Sequence, residues 1–354
     1  MTRSAGLGAL FVAFLSMASC TSLEYYAQAV SGQLEVMRLA VPIEERLREG
    51  DTPAPLREKL QKALAIREFA SRELALPDNN SYRRYADLGR PFVLWNVFAA
   101  PEFSITPVLS CFPFAGCVSY RGFYSEDAAR RHAAELAAEG DDVYVGGVTA
   151  YSTLGWFADP VLSTFIRYPA PEVARIVFHE LAHQEVYLKG DTVFNESFAA
   201  MVEEEGLRRW LEREGTPAQR ASYSDSRRRR SEFAALVLKY RARLAEFYGR
   251  PGSSEEKRAG KRRLFGEMSD EYAALKASWG GFSGFDALIG SGANNAFLVS
   301  IASYTELVPA FRALLAQEKG DLPSFYRAVR ELAKLDKPER DARLAGLAAR
   351  EPAS

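Results

Sequence analysis

The chain has 354 residues, 47% hydrophobic and 26% charged, which suits one large folded domain or two modest ones and excludes a disordered chain. The 45 Lys and Arg are matched by 46 Asp and Glu, a net charge of -1, so there is no basic surplus of the kind a nucleic-acid partner requires. Histidine is scarce, with 3 in all, and two of them fall in one short motif.

Residues 1–19 read as an export signal. Arg3 supplies positive charge, Leu7 to Met17 form an apolar run, and small Ala18 and Ser19 lead into Cys20. The run is shorter than the about 20 apolar residues that span a bilayer. Met17-Ala18-Ser19-Cys20 resembles a bacterial lipobox, whose Cys becomes the lipidated first residue of the mature protein; Met17 stands where that pattern usually has Leu. The other reading is a plain secretory signal with an incidental Cys20. Thr21 follows and not Asp, so the resemblance implies an outer-membrane lipoprotein facing the periplasm. The plain signal implies a soluble periplasmic protein.

From Thr21 to Leu76 apolar residues recur at spacings of three and four, as at Leu34, Met37 and Val41, then Leu56, Leu60 and Leu64. Gly50 to Pro53 breaks the pattern, so a helical hairpin is expected over 20–80. Strands are predicted over Phe92–Phe98, Val118–Phe123 and Asp142–Ala150, with a helix from Ser125 to near Gly140 between the last two. Cys111 and Cys117 suit a disulfide in an exported protein. As metal ligands they would lack any further Cys or spare His pair to complete a site.

The remainder is predicted helical: Pro171–Leu188, Thr192–Glu214, Pro217–Tyr248, Glu255–Trp279 and a last group after the Gly-rich stretch 280–292. Arg227 to Arg230 reads as a solvated helix face, flanked by Asp225 and Glu232. The expected fold class is α+β and mostly helical, with a small mixed β-sheet beside the helix of Pro171–Leu188. That domain would span 81–354.

The chemistry lies in Ile176 to His183, which holds His179-Glu180-Leu181-Ala182-His183. On a helix, residues four apart project from one face, so both imidazoles can bind one zinc ion. Glu180 is placed to take a proton from a water on that zinc as it attacks a carbonyl. A third ligand is required. The next helix starts near Asp191 or Thr192, and antiparallel packing would bring Glu196 level with His183, because both lie about 7–8 Å from the connecting turn. Glu185 is too close in sequence to face the same ion.

This motif, followed by Asn195-Glu196-Ser197-Phe198-Ala199, resembles the gluzincin metallopeptidases, whose metal is held by two His and a Glu, and so implies a zincin-like fold. The second segment is similar to the Asn-Glu-Gly-Phe-Ala motif of zinc aminopeptidases, with Ser197 replacing Gly. The resemblance implies a supporting role for Glu203, seven residues on; the connection between His183 and Glu196 departs from the family, being shorter than those enzymes have. More closely, Cys111 to Phe123, Tyr151 to Asp159 and the zinc motif resemble a family of bacterial predicted aminopeptidases, often lipoproteins, over most of the mature chain.

Peptide hydrolysis also needs a donor for the oxyanion. His132 falls on an amphipathic helix, so Tyr or Arg must serve; Tyr151, Tyr187 and Tyr304 are candidates, and Tyr304 ranks first because related enzymes place this group in the terminal helical region. Val143 to Ala150 could pair with an extended peptide, with Gly146 and Gly147 allowing close approach or marking a bulge. The expected enzyme is a one-zinc peptidase acting on peptides and anchored to a membrane by lipid. No segment for a substrate amine of the Gly-Ala-Met-Glu-Asn type occurs, so a zinc endopeptidase stays open beside the aminopeptidase. So does a non-catalytic envelope lipoprotein that binds a partner, although binding alone would not require Glu180.

Overall fold

The computed structural model describes residues 24–112, 116–290 and 292–350. The signal segment and Cys20 lie outside the described residues. In chain order the elements are α1 (24–39), β1 (Val41–Pro42), α2 (Ile43–Arg48), α3 (Ala54–Leu74), β2 (Arg84–Ala86), β3 (Leu94–Pro101), β4 (Ser110–Phe112), β5 (Gly116–Val118) and β6 (Tyr120–Phe123). Then come α4 (Glu126–Ala138), β7 (Asp141–Val148), β8 (Val161–Leu162), α5 (Ser163–Ile166), α6 (Ala170–Glu185), α7 (Thr192–Glu214), α8 (Pro217–Gly249) and α9 (Ser254–Ser278). The chain closes with α10 (Asp286–Gly290), α11 (Asn295–Thr305), α12 (Val308–Gln317), α13 (Leu322–Ala333) and α14 (Lys337–Ala348). The fold is α+β and mostly helical, with small sheets.

The main sheet has the order β6-β3-β7 and is antiparallel throughout, not mixed. A helix joining two strands suggests a parallel pair. Here β6 and β7 are joined by α4 but sit on opposite sides of β3, so each meets β3 antiparallel. The only parallel pairing among the described residues is β2 with β8 in a second small sheet. The strand predicted over Val118–Phe123 is divided. Its first part closes a hairpin with β4, in which Cys111 and Cys117 face each other and form a disulfide. Its second part joins the main sheet as β6.

Strand alternation sorts the faces of that sheet. Trp95, Val97 and Phe123 pack against Ala129 of α4. The opposite face presents Phe98, with Tyr120 and Tyr144 at ring distances of 5.4 and 6.2 Å. Tyr144 then meets Phe297 of α11 edge-on at 5.6 Å. The sheet therefore reaches the helical body through α11. Gly147 needs no bulge: any Cβ there would fall 2.5 Å from the ring of Phe92, which lies over it.

Two apolar cores flank α11. The larger unites Val36, Leu60 and Phe69 of the N-terminal helices with Phe178 of α6, Phe194 and Phe198 of α7, and Phe311 and Phe325 of α12 and α13. The second gathers Phe233, Tyr240, Leu264 and Met268 of the long α8–α9 hairpin around Phe297 and Leu298 of α11. Both hairpin helices begin with capping boxes, at Thr216 with Gln219 and at Ser253 with Glu256, which fixes where each starts. The arginine run is tied down by neighbours: Arg227 to Glu204, Arg228 to Asp225 and Glu232, and Arg230 to Glu172.

Candidate metal centre

Helices α6 and α7 pack antiparallel and carry the motif residues on their facing sides. Helix α6 stops at Glu185, three residues before the predicted end, and Val186 is already extended. The connection is held by the buried side chain of Asn195, whose Oδ1 accepts from Leu188 N at 2.7 Å and whose Nδ2 donates to Leu188 O at 2.8 Å. Asp191 caps α7 by accepting from Phe194 N. Gly116 in the disulfide hairpin abuts this connection, with space for no Cβ before Gly190 N at 2.7 Å. The turn is thus clamped from both sides, and Glu196 comes level with the histidines.

His179, His183 and Glu196 each offer one ligand atom within 4.8 Å of the others. Their side chains are 12%, 9% and 9% exposed. Glu196 Oε2 lies 3.3 Å from His179 Nε2 and 3.6 Å from His183 Nε2. Two atoms each about 2.0–2.1 Å from a tetrahedral ion such as zinc stand about 3.3–3.4 Å apart, so the trio fits three corners of such a site. The donor set of two imidazoles and a carboxylate leaves a fourth corner for a reacting group.

The charges of the cluster act strongly on one another. Burial works against charge on His179, but the hydrogen bonds its ring donates to Glu196 and Glu203 raise its pKa to about 10. Burial likewise opposes ionisation of Glu196, but His183 and His179 hold its pKa down to about 2. Glu203 is also held at about 2, against burial, by Arg175 and His179. Glu203 Oε2 lies 3.0 Å from His179 Nδ1, and its Oε1 accepts from Arg175 Nη1 at 2.9 Å. Arg175 Nε continues to Glu172 at 2.8 Å. This chain fixes the ring that carries Nε2 to the site.

Glu180 follows His179 directly and belongs to the same electrostatic group. Burial raises its pKa, the charges of His179 and His183 lower it, and Glu196 and Glu203 add to the rise. A carboxylate tuned upward in this way can accept a proton and later return it.

The Tyr304 ring lies 6.1 Å from that of His179 at an interplanar angle of 30°. Burial keeps its phenol well above the usual pKa, and Glu196, Tyr120, Glu180 and Glu203 reinforce this, so it is a neutral donor. Its placement begins at the far end of α11. There Asn294 caps the helix and donates to Val143 O at 2.9 Å, while Asn295 N donates to Asp142 Oδ2 at 2.8 Å. Nearer the site, Ser197 Oγ bridges Ser303 O and Leu307 N.

Tyr187 lies near enough to Glu196 that the carboxylate, after burial, raises its pKa. Tyr151 does not join the group. Its hydroxyl donates to Gln33, and its ring packs edge-on to Tyr124 at 6.1 Å. His132 contacts Phe123 and Glu135, on the α4 side of the sheet.

Two further tyrosines were missed by sequence reasoning. Tyr120 is raised far above its usual pKa by burial, then by Glu196, Tyr187 and Glu180. Tyr82 is raised by burial, then by Glu180 and Asp159. Tyr82 is 1% exposed and has a left-handed backbone, φ +62°, with its N–H on Asp159 O at 2.6 Å. Alternation in Tyr120-Arg121-Gly122-Phe123 signals that Tyr120 and Phe123 face opposite ways, but nothing local says which face meets the metal.

The chain belongs to the family described as Putative aminopeptidase, whose pattern matches residues 24–344. No curated protein and no solved structure matches it.

Proposed function

We propose that the protein is a zinc-dependent peptidase of the gluzincin type, acting as an aminopeptidase. The observation that carries this reading is the convergence of His179, His183 and Glu196 at separations suited to one tetrahedral ion, with Glu180 beside them. Membership of a family described as aminopeptidases supports the peptide substrate. His179, His183 and Glu196 would hold the zinc, which when bound would supply a Lewis acid for the scissile carbonyl and for activating water.

The chain's own groups do the rest. Glu180 takes the proton of the attacking water and delivers it to the leaving amine. Tyr304 donates its phenolic hydrogen to the oxyanion. Glu203, braced by Arg175, holds His179 in one tautomer and orientation.

For localisation, we assign Cys20 as the lipid anchor and the periplasmic face of the outer membrane as the site of action. The Cys111–Cys117 disulfide supports an oxidising compartment. Conversion of Cys20 to Ala should move the protein from the membrane to the soluble fraction.

The test of activity is incubation of the signal-less protein with a mixed peptide library, with and without chelator, read by mass spectrometry. Chelator-sensitive loss of N-terminal residues is the expected result. Internal cuts would make it an endopeptidase, and no cleavage with stoichiometric zinc would leave a binding protein.

A further inference from the structure

The segment 151–159 joins β7 to β8 and is built as a rigid turn. Asp159, 2% exposed, accepts from Thr153 N at 2.9 Å and from Thr153 Oγ1 at 2.7 Å. Thr153 Oγ1 in turn accepts from Phe157 N at 3.1 Å, and Thr153 O accepts from Trp156 N at 3.1 Å. Leu154 and Gly155 are both left-handed, with φ of +56° and +80°. A non-glycine residue stays in that region only where its surroundings leave it no alternative. The surroundings here are the Asp159–Thr153 contacts.

The turn is fastened to the helix that carries the metal motif. Gln184, next after His183, donates to Ser81 Oγ at 3.2 Å and to Asp159 Oδ2 at 3.5 Å, and accepts from Asn79 Nδ2 at 2.8 Å. Gly155 lies against the same side chain, a Cβ there standing 3.6 Å from Gln184 Oε1. Gln184 stands four residues after Glu180 on α6, one helical turn along the same face. Through Gln184 the turn therefore packs on the Glu180 face of α6, and it follows a strand, β7, that forms one edge of the main sheet.

What this scaffold presents is apolar and open to water. Trp156 is 75% exposed and Phe157 45% exposed. Two large aromatics left this open on a fixed turn have the character of a contact surface. Resting on the peptidase reading above, we propose that Trp156 and Phe157 form the wall that receives an apolar side chain of the peptide substrate beside the scissile bond. The substrate class is thus peptides with an aromatic or large aliphatic residue at that position.

The experiment compares the signal-less zinc protein with Trp156→Ala, Phe157→Ala and the double variant on peptides differing only at the residues flanking the cut. The expected result is a KM roughly tenfold or more higher for Phe- and Leu-containing peptides in the variants, with little change for Asp- or Gly-containing ones. Zinc content and melting temperature should be unchanged. A second arm titrates a Phe-containing peptide into Glu180→Gln protein and follows tryptophan fluorescence; the change should vanish when Trp156→Phe is added. Unchanged preferences in a wild type that cleaves peptides would overturn the wall and leave the peptidase reading intact. A wild type that cleaves nothing yet gives the Trp156 signal would overturn the peptidase reading and keep the wall. Neither cleavage nor signal would overturn both.

Discussion

Glu203 on α7 reaches His179 on α6 with Oε2 3.0 Å from Nδ1, while its other oxygen is held by Arg175. One carboxylate thus sets both the tautomer and the tilt of a metal-facing ring. Replacing Glu203 with Gln should weaken zinc binding by about 10–100-fold, the usual cost of losing such a partner. Competition with a fluorescent chelator measures this. An affinity equal to wild type would remove Glu203 from the site's support.

Glu180 has the opposite expected signature. Glu180→Gln should lower kcat by about 10²–10⁴-fold or more while the protein still binds one zinc. Metal analysis of the purified variant beside its turnover rate separates the two effects. Retained activity would exclude Glu180 as the base.

The donor assignment can be settled among three tyrosines. Tyr304→Phe should cut kcat by about 10²-fold or more with KM little changed, as removal of an oxyanion donor does. Tyr151→Phe should leave kcat alone, because its hydroxyl is engaged by Gln33. If Tyr120→Phe produces the larger loss, the donor is Tyr120 on the sheet and not Tyr304 on α11.

The metal-free protein should have a stability window set by its own site. The folded pKa of His179 is raised from 6.5 to about 10, so its contribution is complete below about pH 6.5 and fades as pH rises through 10. Those of Glu196 and Glu203 are lowered from 4.5 to about 2, so their contribution is present above about pH 4.5 and is lost as pH falls through 2. Thermal melts of chelated protein should therefore be highest between these limits. Zinc must displace the His179 proton, so its affinity near neutrality should rise about tenfold per pH unit. A flat zinc affinity from pH 6 to 8 would show that the proton is absent.

Much of this centre was legible because helix geometry is local. Four-residue spacing alone places His179 and His183 on one face, and antiparallel packing of two helices brings Glu196 level with His183. The cap at Asp191 is a local signal as well. Other parts depend on contacts that no short segment encodes. The order of β6, β3 and β7 is decided by which face each strand must bury, and with it the aim of Tyr120. Tyr82 and Asp159 come under the charge of Glu180 through a turn and a loop distant from it in sequence. The early end of α6 at Glu185 follows the same logic, since Asn195 from α7 takes over the Leu188 backbone that the helix would otherwise have continued to pair.

Helix α11 has one end in the α8–α9 core and the other over His179. It therefore works as a lever whose fulcrum is remote from the chemistry. Leu264 and Met268 touch no reacting atom but share a core with Phe297 and Leu298, so trimming either should loosen that seat and let the Tyr304 end swing. Loss of rate without loss of zinc is the mark of such damage, and it gives the long hairpin a tuning role that its distance from the metal conceals.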